Sequence, residues 1–456
     1  VSSLSDRLRG IVAPAGRPER RHPPSDGART DALHGSDDDR ENRPSAGPPC
    51  GDAAEVLGGE WRESGGHRFL VVDRKYAPGY RHGRVSIADC LPDATGGWPR
   101  LALLSAPRSP VSAPVAGVHP RLLFLDLETT GLAGGAGTYA FLVGCGWFDG
   151  GTFRLRQFFL ADFAAERALL ESVAELAGAT ACVVTYNGKT FDLPLIETRY
   201  VMQRMATPFA DLPHVDMLHP ARRMWREDDV ECRLTNLERV LCGHEREGDV
   251  PGFEIPSRYF QFVRGGDARP LEAVLEHNRL DIISLAMLTA RAAQLLEDGP
   301  SAASTPREAF GMGRLYERAG MIGDALASFT RAARHDSTPD ARRPRRNDDV
   351  RAEALRAQAI LLRRLRRYEE AASAWRDLLA VRECPEACAR EATEALAVHH
   401  EHRIRDLEAA RTFALQALRL QASAARQEAV KYRLARIDRK LGGTPPSGGL
   451  PLGGHV

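Results

Sequence analysis

The stretch Leu122–Gly131, reading LLFLDLETTG, constrains this chain more than any other. Its dense run of Leu and Phe reads as a strand buried on both faces. Alternate residues of a strand point to the same face, so Asp126 and Glu128 leave the end of an apolar strand side by side. Two like charges so close are costly unless a cation lies between them. A divalent ion is the simplest such cation for oxygen ligands. A strand end with two solvated acids would satisfy the same pattern, so the rest of the chain has to decide.

The 456 residues leave room for roughly two to four domains. A hydrophobic share of 43% and a charged share of 27% mark an ordinary globular chain. The net charge of +1 excludes a global basic field, so any nucleic-acid-binding surface has to be local. It does not exclude a nuclease, because acids in an active site cancel a basic groove. None of the eight cysteines has C-x-x-C spacing, and Cys384 and Cys388 have no clustered histidine, so zinc is not expected. Cys145 and Cys182 lie in apolar runs and read as core. This usage suits a reducing, cytoplasmic compartment. The first residues, VSSLSDRLRGIVAPAG, lack the apolar region of a signal peptide, and no window is apolar enough to span a membrane, so no membrane partner is expected.

Composition divides the chain. Residues 1–53, rich in Pro, Gly, Ser, Asp and Arg, read as a mostly disordered arm. Residues 54–118 read as a small β extension and linker, with strands at Phe69–Val72 and Arg84–Ala88. Between them lie Arg74, Lys75, Tyr76, Tyr80, Arg81, His82 and Arg84. Basic residues interleaved with aromatics either grip a single nucleic-acid strand or form a hairpin whose basic loop faces water. Residues 119–298 alternate strands and helices in an order that predicts a mixed five-stranded sheet flanked by helices. Asp149-Gly150-Gly151 marks a hairpin turn. The cluster Gly131, Gly134, Gly135 and Gly137 precedes a strand rather than a helix, which argues against a dinucleotide-binding loop. Residues 305–441 turn helical, and residues 442–456 form a flexible Gly/Pro tail. Within the helical part, Ala325 with Phe329, Ala371 with Trp375, and Ala409 with Phe413 repeat one pattern. The units resemble tetratricopeptide repeats at wider spacing than the usual 34 or so residues. Stacked helical hairpins of this kind present a surface to a protein partner.

Two further motifs carry acids. In Y-N-G-K-T-F-D-L-P, residues 186–194, a strand ends and Asp192 opens a helix. In H-N-R-L-D, residues 277–281, His277 and Asp281 share one helical face. With D-L-E-T-T-G at 126–131, these motifs make residues 121–296 resemble the DEDD exonuclease superfamily on the ribonuclease-H-like fold. More closely, the segment resembles the YprB-type ribonuclease-H-like domain.

The resemblance implies a 3′→5′ exonuclease with a two-metal-ion mechanism. Asp126, Glu128, Asp192 and Asp281 would hold two Mg²⁺ or Mn²⁺ ions. His277 would be the general base, although its H-x₃-D spacing departs from both the H-x₄-D and the Y-x₃-D patterns of such families. Thr129 would offer its backbone N–H to the 3′ end of a single strand, and Asn187 and Phe191 would support the site or touch substrate. Asp216 reads as a structural acid near the site, and Lys189, Arg222, Arg223, Arg226, Arg233 and Arg258 as phosphate-contact candidates. Two alternatives share the fold: a scaffold that binds nucleic acid without cutting, and a structure-selective endonuclease. No motif reads a 2′-hydroxyl, so DNA and RNA are not separated.

Overall fold

Leu123, Phe124 and Leu125 are all buried, as a strand covered on both faces requires. They belong to a computed structural model that describes residues 51–91, 100–105, 121–131, 135, 137–226, 231–334, 344–420 and 423–442. The expected tail, nearly all of the expected arm, and part of the glycine cluster lie outside these residues.

Among the described residues nine strands are present: β1 (Glu60–Ser64), β2 (His67–Tyr76), β3 (Arg81–His82), β4 (Val85–Ser86), β5 (Arg121–Thr129), β6 (Ala140–Asp149), β7 (Thr152–Phe159), β8 (Thr180–Thr185) and β9 (His214–Asp216). Seven form one mixed sheet in the order β1-β2-β7-β6-β5-β8-β9, and β3 and β4 form a separate ribbon. β5 runs antiparallel to β6 and parallel to β8. The β6–β7 hairpin closes through Gly150 and Gly151, at φ 55° and 83°. Two successive positive φ values are what a twist-matched two-residue turn demands.

The sheet has seven strands, not the five expected. The extra two come from the segment read as a separate β extension. Phe69, Leu70, Val71 and Val72 are all buried, and their strand pairs antiparallel with β7 from Leu70↔Phe159 to Tyr76↔Phe153. β1 then covers β2. The strand expected at Arg84–Ala88 is reduced to β4 and a 3₁₀ turn, Ala88–Cys90. Chain reversal at Pro78-Gly79 is the cause: Ile87 N–H donates to the Tyr80 carbonyl and Ala88 N–H to the Pro78 carbonyl, so the segment folds back on itself.

Among the described residues seven α-helices accompany the strands: α1 (Gly51–Leu57), α2 (Glu166–Ala177), α3 (Asp192–Met202), α4 (Leu218–Met224), α5 (Leu234–Leu237), α6 (Ile255–Gly265) and α7 (Arg269–Asp298). Helix α7 contributes to both main apolar clusters, through Leu271, Val274 and Leu275 to one and through Ile282 to Leu296 to the other. It lies hard against β6 at two glycines. A Cβ on Gly144 would come within 2.2 Å of Asn278 Oδ1, and one on Gly146 within 2.5 Å of Ile282 Cγ2. Only residues without side chains allow this approach.

The C-terminal region is helical: α8 (Pro306–Arg318), α9 (Ile322–Arg334), α10 (Pro344–Arg364), α11 (Tyr368–Leu379), α12 (Glu386–His399), α13 (Leu407–Arg419) and α14 (Ala424–Leu441). Successive helices pack against one another, and small residues make room for aromatics. The Phe329 ring lies where a Cβ on Gly313 would sit 2.5 Å away, and Ala371, Ala372 and Trp375 are buried together. Helix α8 is tied to the central domain at its start. Glu308 accepts from Ser304 N–H (2.7 Å) and from the Trp225 indole (2.9 Å), while Thr305 Oγ1 accepts from Glu308 N–H. This is an N-terminal capping arrangement. Among the described residues, no helix is long and apolar enough to cross a membrane.

Candidate active site

β5 brings Asp126 and Glu128 out on one face, with Leu127 buried on the other. A register shift between Glu128 and Thr129 ends the regular pairing with β6 at the acids. Asp126 lies opposite Gly144, and the space left by the missing side chain is filled by Asn278 of α7. Asn278 Nδ2 donates to Asp126 Oδ2 at 2.8 Å. Its Oδ1 accepts from Gln157 Nε2 at 2.9 Å, and the same nitrogen also donates to the Leu275 carbonyl at 2.8 Å. Two fully buried amides therefore fix the rotamer of Asp126. Thr129 stands just beyond, its hydroxyl turned to the Gly131 carbonyl at 2.9 Å.

Asp192 opens α3 after a tight turn. Asn187 has φ 66°, a conformation that asparagine tolerates better than most residues. Asp216 at the end of β9 holds this turn, accepting from the backbone N–H of Asn187 (2.8 Å), Lys189 (3.1 Å) and Leu218 (3.1 Å). A Cβ on Gly188 would fall 2.5 Å from Thr185 Cβ and 2.8 Å from Asp192 Oδ2, so the turn closes against the acid it positions. The Asn187 amide oxygen accepts from the Thr190 hydroxyl at 3.2 Å, which employs that side chain in the turn. Phe191 next to it is 61% exposed.

His277 and Asp281 lie one turn apart on α7, with His277 Nε2 3.7 Å from Asp281 Oδ2. The other imidazole nitrogen, Nδ1, donates to Asp249 Oδ1 at 2.6 Å. Arg246 fans across the same corner. It donates to Glu238 Oε2 (2.6 Å), Asp249 Oδ2 (3.2 Å) and Asp281 Oδ1 (2.5 Å). Sequence reasoning missed Asp249, Arg246, Asn278 and Gln157. Asn278 lies inside a recognised motif, but Arg246 and Asp249 sit in a charged loop that reads as solvated surface.

The acids perturb one another. Burial, then the charges of Asp281 and Asp192, push the Asp126 carboxyl well above its usual range. Burial followed by Asp126, Asp281 and Asp192 does the same to Glu128. Burial also raises Asp192 to about 7, against the hydrogen bonds it accepts from its own and the Leu127 backbone N–H. Asp249 is pulled the other way, because the His277 bond and the Arg246 charge outweigh its burial. Burial likewise opposes charge on His277, yet the Asp249 bond and the Asp281 charge raise its pKa. This donor set suits a hard divalent cation: carboxylate oxygens come from three elements, and those of Asp126, Glu128 and Asp192 are raised in pKa by burial and then by neighbouring carboxylates.

A neighbouring group behaves differently. Ligand-type atoms of His82, Glu238 and His244 all lie within 4.8 Å of one another, the one such trio among the described residues. The four family-motif acids do not converge as tightly. In the basic and aromatic stretch at 74–84 the rings are packed, whereas Arg74, Lys75, Arg81 and Arg84 are exposed. Tyr76 and His82 are buried, and Arg279 donates to both the Tyr76 and Tyr80 hydroxyls, at 3.1 and 3.2 Å. Arg84 Nη2 donates to the Val240 carbonyl at 2.6 Å. Of the phosphate-contact candidates, Lys189, Arg222, Arg226 and Arg233 are exposed, whereas Arg223 and Arg258 are half-buried.

Residues 123–293, which span all four acids, match the profile of the RNase_H superfamily. This segment is similar to a ribonuclease-H superfamily domain. Over 391 residues the chain is 29% identical to the "Uncharacterized protein YprB" of Bacillus subtilis (strain 168), covering 84% of this chain and 90% of that one. The likeness therefore extends well past the ribonuclease-H-like domain. The likeness of this segment to the superfamily suggests nuclease-type activity and nucleic acid as the ligand. Nucleases of this fold usually use divalent metals.

Proposed function

We propose that the protein is a metal-dependent 3′→5′ exonuclease acting on single-stranded ends, with its C-terminal hairpins serving as a tetratricopeptide-like docking module for a protein partner. The observation that carries this reading is that burial and neighbouring carboxylates, Asp281 of α7 among them, raise Asp126, Glu128 and Asp192, which come from a strand and a helix start. Asp126, Glu128, Asp192 and Asp281 would hold two Mg²⁺ or Mn²⁺ ions, which when bound supply a water of lowered pKa and stabilise a leaving 3′ oxygen.

The protein's own groups have separate tasks. Asn278 and Gln157 keep Asp126 in a single orientation. Asp249 fixes Nδ1 of His277 and leaves Nε2 turned toward the acids as the proton acceptor. The raised pKa keeps that nitrogen protonated at lower pH, so its service as a base grows as pH rises. The exposed Phe191 offers a ring on which a terminal base can stack.

Full-length protein with Mg²⁺ or Mn²⁺, tested on 3′- and 5′-labelled single- and double-stranded DNA and RNA, decides the matter. The expected result is stepwise release of nucleoside monophosphates from 3′ ends, lost in Asp126→Ala and in Asp281→Ala. No metal-dependent cleavage, or undiminished cleavage by both variants, overturns the enzyme reading. Internal cuts replace it with an endonuclease. A non-cleaving scaffold is the second reading, favoured by one observation: Asp281 is already engaged by Arg246.

A further inference from the structure

Arg246 is only 5% exposed, yet it lies among three acids of the cleft corner. Its three nitrogens address three different carboxylates, a fan that the planar guanidinium fork holds in one geometry. Asp281, one of the proposed metal ligands, gives its Oδ1 to this fork. Glu238 is fully buried and gives its Oε2 to Arg246. Its Oε1 accepts from His82 Nε2 at 2.6 Å, and His82 Nε2 lies 3.1 Å from Ser284 Oγ. His82 belongs to β3, in a part of the chain that precedes residues 123–293. A chain of polar contacts thus runs from the β3–β4 ribbon to the acids: His82, Glu238, Arg246, Asp281.

Metal uptake by His82, Glu238 and His244 themselves fits the geometry less well. The two imidazoles are stacked, with ring centroids 4.0 Å apart and planes 28° apart. Nitrogen lone pairs lie in the ring plane, so those of two nearly parallel rings point past a common ion rather than at it. His244 Nε2 stands 3.9 Å from Glu238 Oε1, so of the two histidines only His82 hydrogen-bonds Glu238. The trio is better read as the anchor of Glu238.

We propose that Arg246 is a built-in counter-cation of the cleft, a positioning residue that must release or share Asp281 when a divalent cation is held, and whose grip on Asp281 is set by Glu238. The proposal rests on the metal-dependent reading above. Its physical content is a change of sign along the chain. Removing the positive charge of Arg246 frees Asp281 and leaves more uncompensated negative charge in the cleft. Removing the negative charge of Glu238 leaves Arg246 facing Asp281 and Asp249 alone, which repels an incoming cation. A network that merely held the fold together would move both variants in the same direction.

The test is calorimetric titration of metal-free, full-length protein with MnCl₂ at fixed pH and ionic strength, without substrate. Arg246→Gln is expected to bind Mn²⁺ more tightly and Glu238→Gln more weakly, each on the order of tenfold for a unit charge placed a few ångströms away. Arg246→Lys keeps the charge and should stay close to the parent. If Arg246→Gln does not fold, the contrast between Glu238→Gln and Arg246→Lys carries the test. Parent-like Mn²⁺ affinity in Glu238→Gln, or weakened binding in both Gln variants, overturns the counter-cation. A parent protein that binds no Mn²⁺ overturns both this inference and the metal-dependent reading beneath it.

Discussion

Single residues in the cleft carry opposite pressures, and pH exposes them. Asp192 titrates near 7 when folded and near 4 when unfolded. Between those values the folded chain holds the extra proton, so folding stability contributed by this group falls as pH rises from about 4 to about 7. In EDTA, the melting temperature of the parent should therefore decline more steeply over that window than that of Asp192→Asn. Added Mn²⁺ should restore the parent at pH 7.5 and do little at pH 5. Equal slopes for the two proteins would remove Asp192 from the set of strained acids. His277 supplies a second prediction. With its pKa raised, the cleavage rate should climb through neutral pH, and Asp249→Asn should move that ascending limb to lower pH while cutting kcat more than KM. An unmoved limb would separate Asp249 from the base. The four motif acids were legible because each sits at the end of an apolar run or on a helix face with a recognisable neighbour. Asp249 and Arg246 were not, because a charged loop gives no sign of which partner it will meet.

At the scale of elements, the site depends on how closely α7 approaches β6. A methyl at Gly144 would collide with Asn278 and with Ile282. Gly144→Ala should cost about 1–3 kcal/mol, and it should lower activity beyond that loss by displacing Asn278 from Asp126. Denaturant melts paired with Mn²⁺ titrations would show both effects, and a variant with parental stability would deny the close contact. Strand and helix order in the central region was readable from apolar runs, and the Gly150-Gly151 turn from its dipeptide. The width of the sheet was not. FLVV announces a strand, but nothing within it says that its partner is β7, because pairing between distant segments is written in neither segment alone.

Across the whole molecule, the C-terminal helices are held by polar fasteners as much as by apolar packing. Glu401, with its side chain fully buried, accepts from Arg436 (2.7 Å), Arg433 (3.3 Å) and Lys440 (2.9 Å), all on the terminal helix α14. These cations, with His402, hold its carboxyl at about 2 despite burial. Glu401→Gln should lower the melting temperature by about 2–4 °C, with cleavage at 25 °C unchanged. A loss of cleavage instead would tie the last helices to the catalytic domain. The repeated small–aromatic pairs made these helices legible as hairpins, but which surface they offer to another protein depends on curvature that no single pair encodes.

The edge of the sheet has a consequence in time. Leu70 pairs with Phe159, so the strand holding Leu70 is made long before its partner leaves the ribosome. Until then the β1–β2 hairpin has no sheet to join and shows one bare edge, a state in which strands recruit the wrong neighbours. A nascent chain halted before residue 152 should therefore be the form most in need of a chaperone.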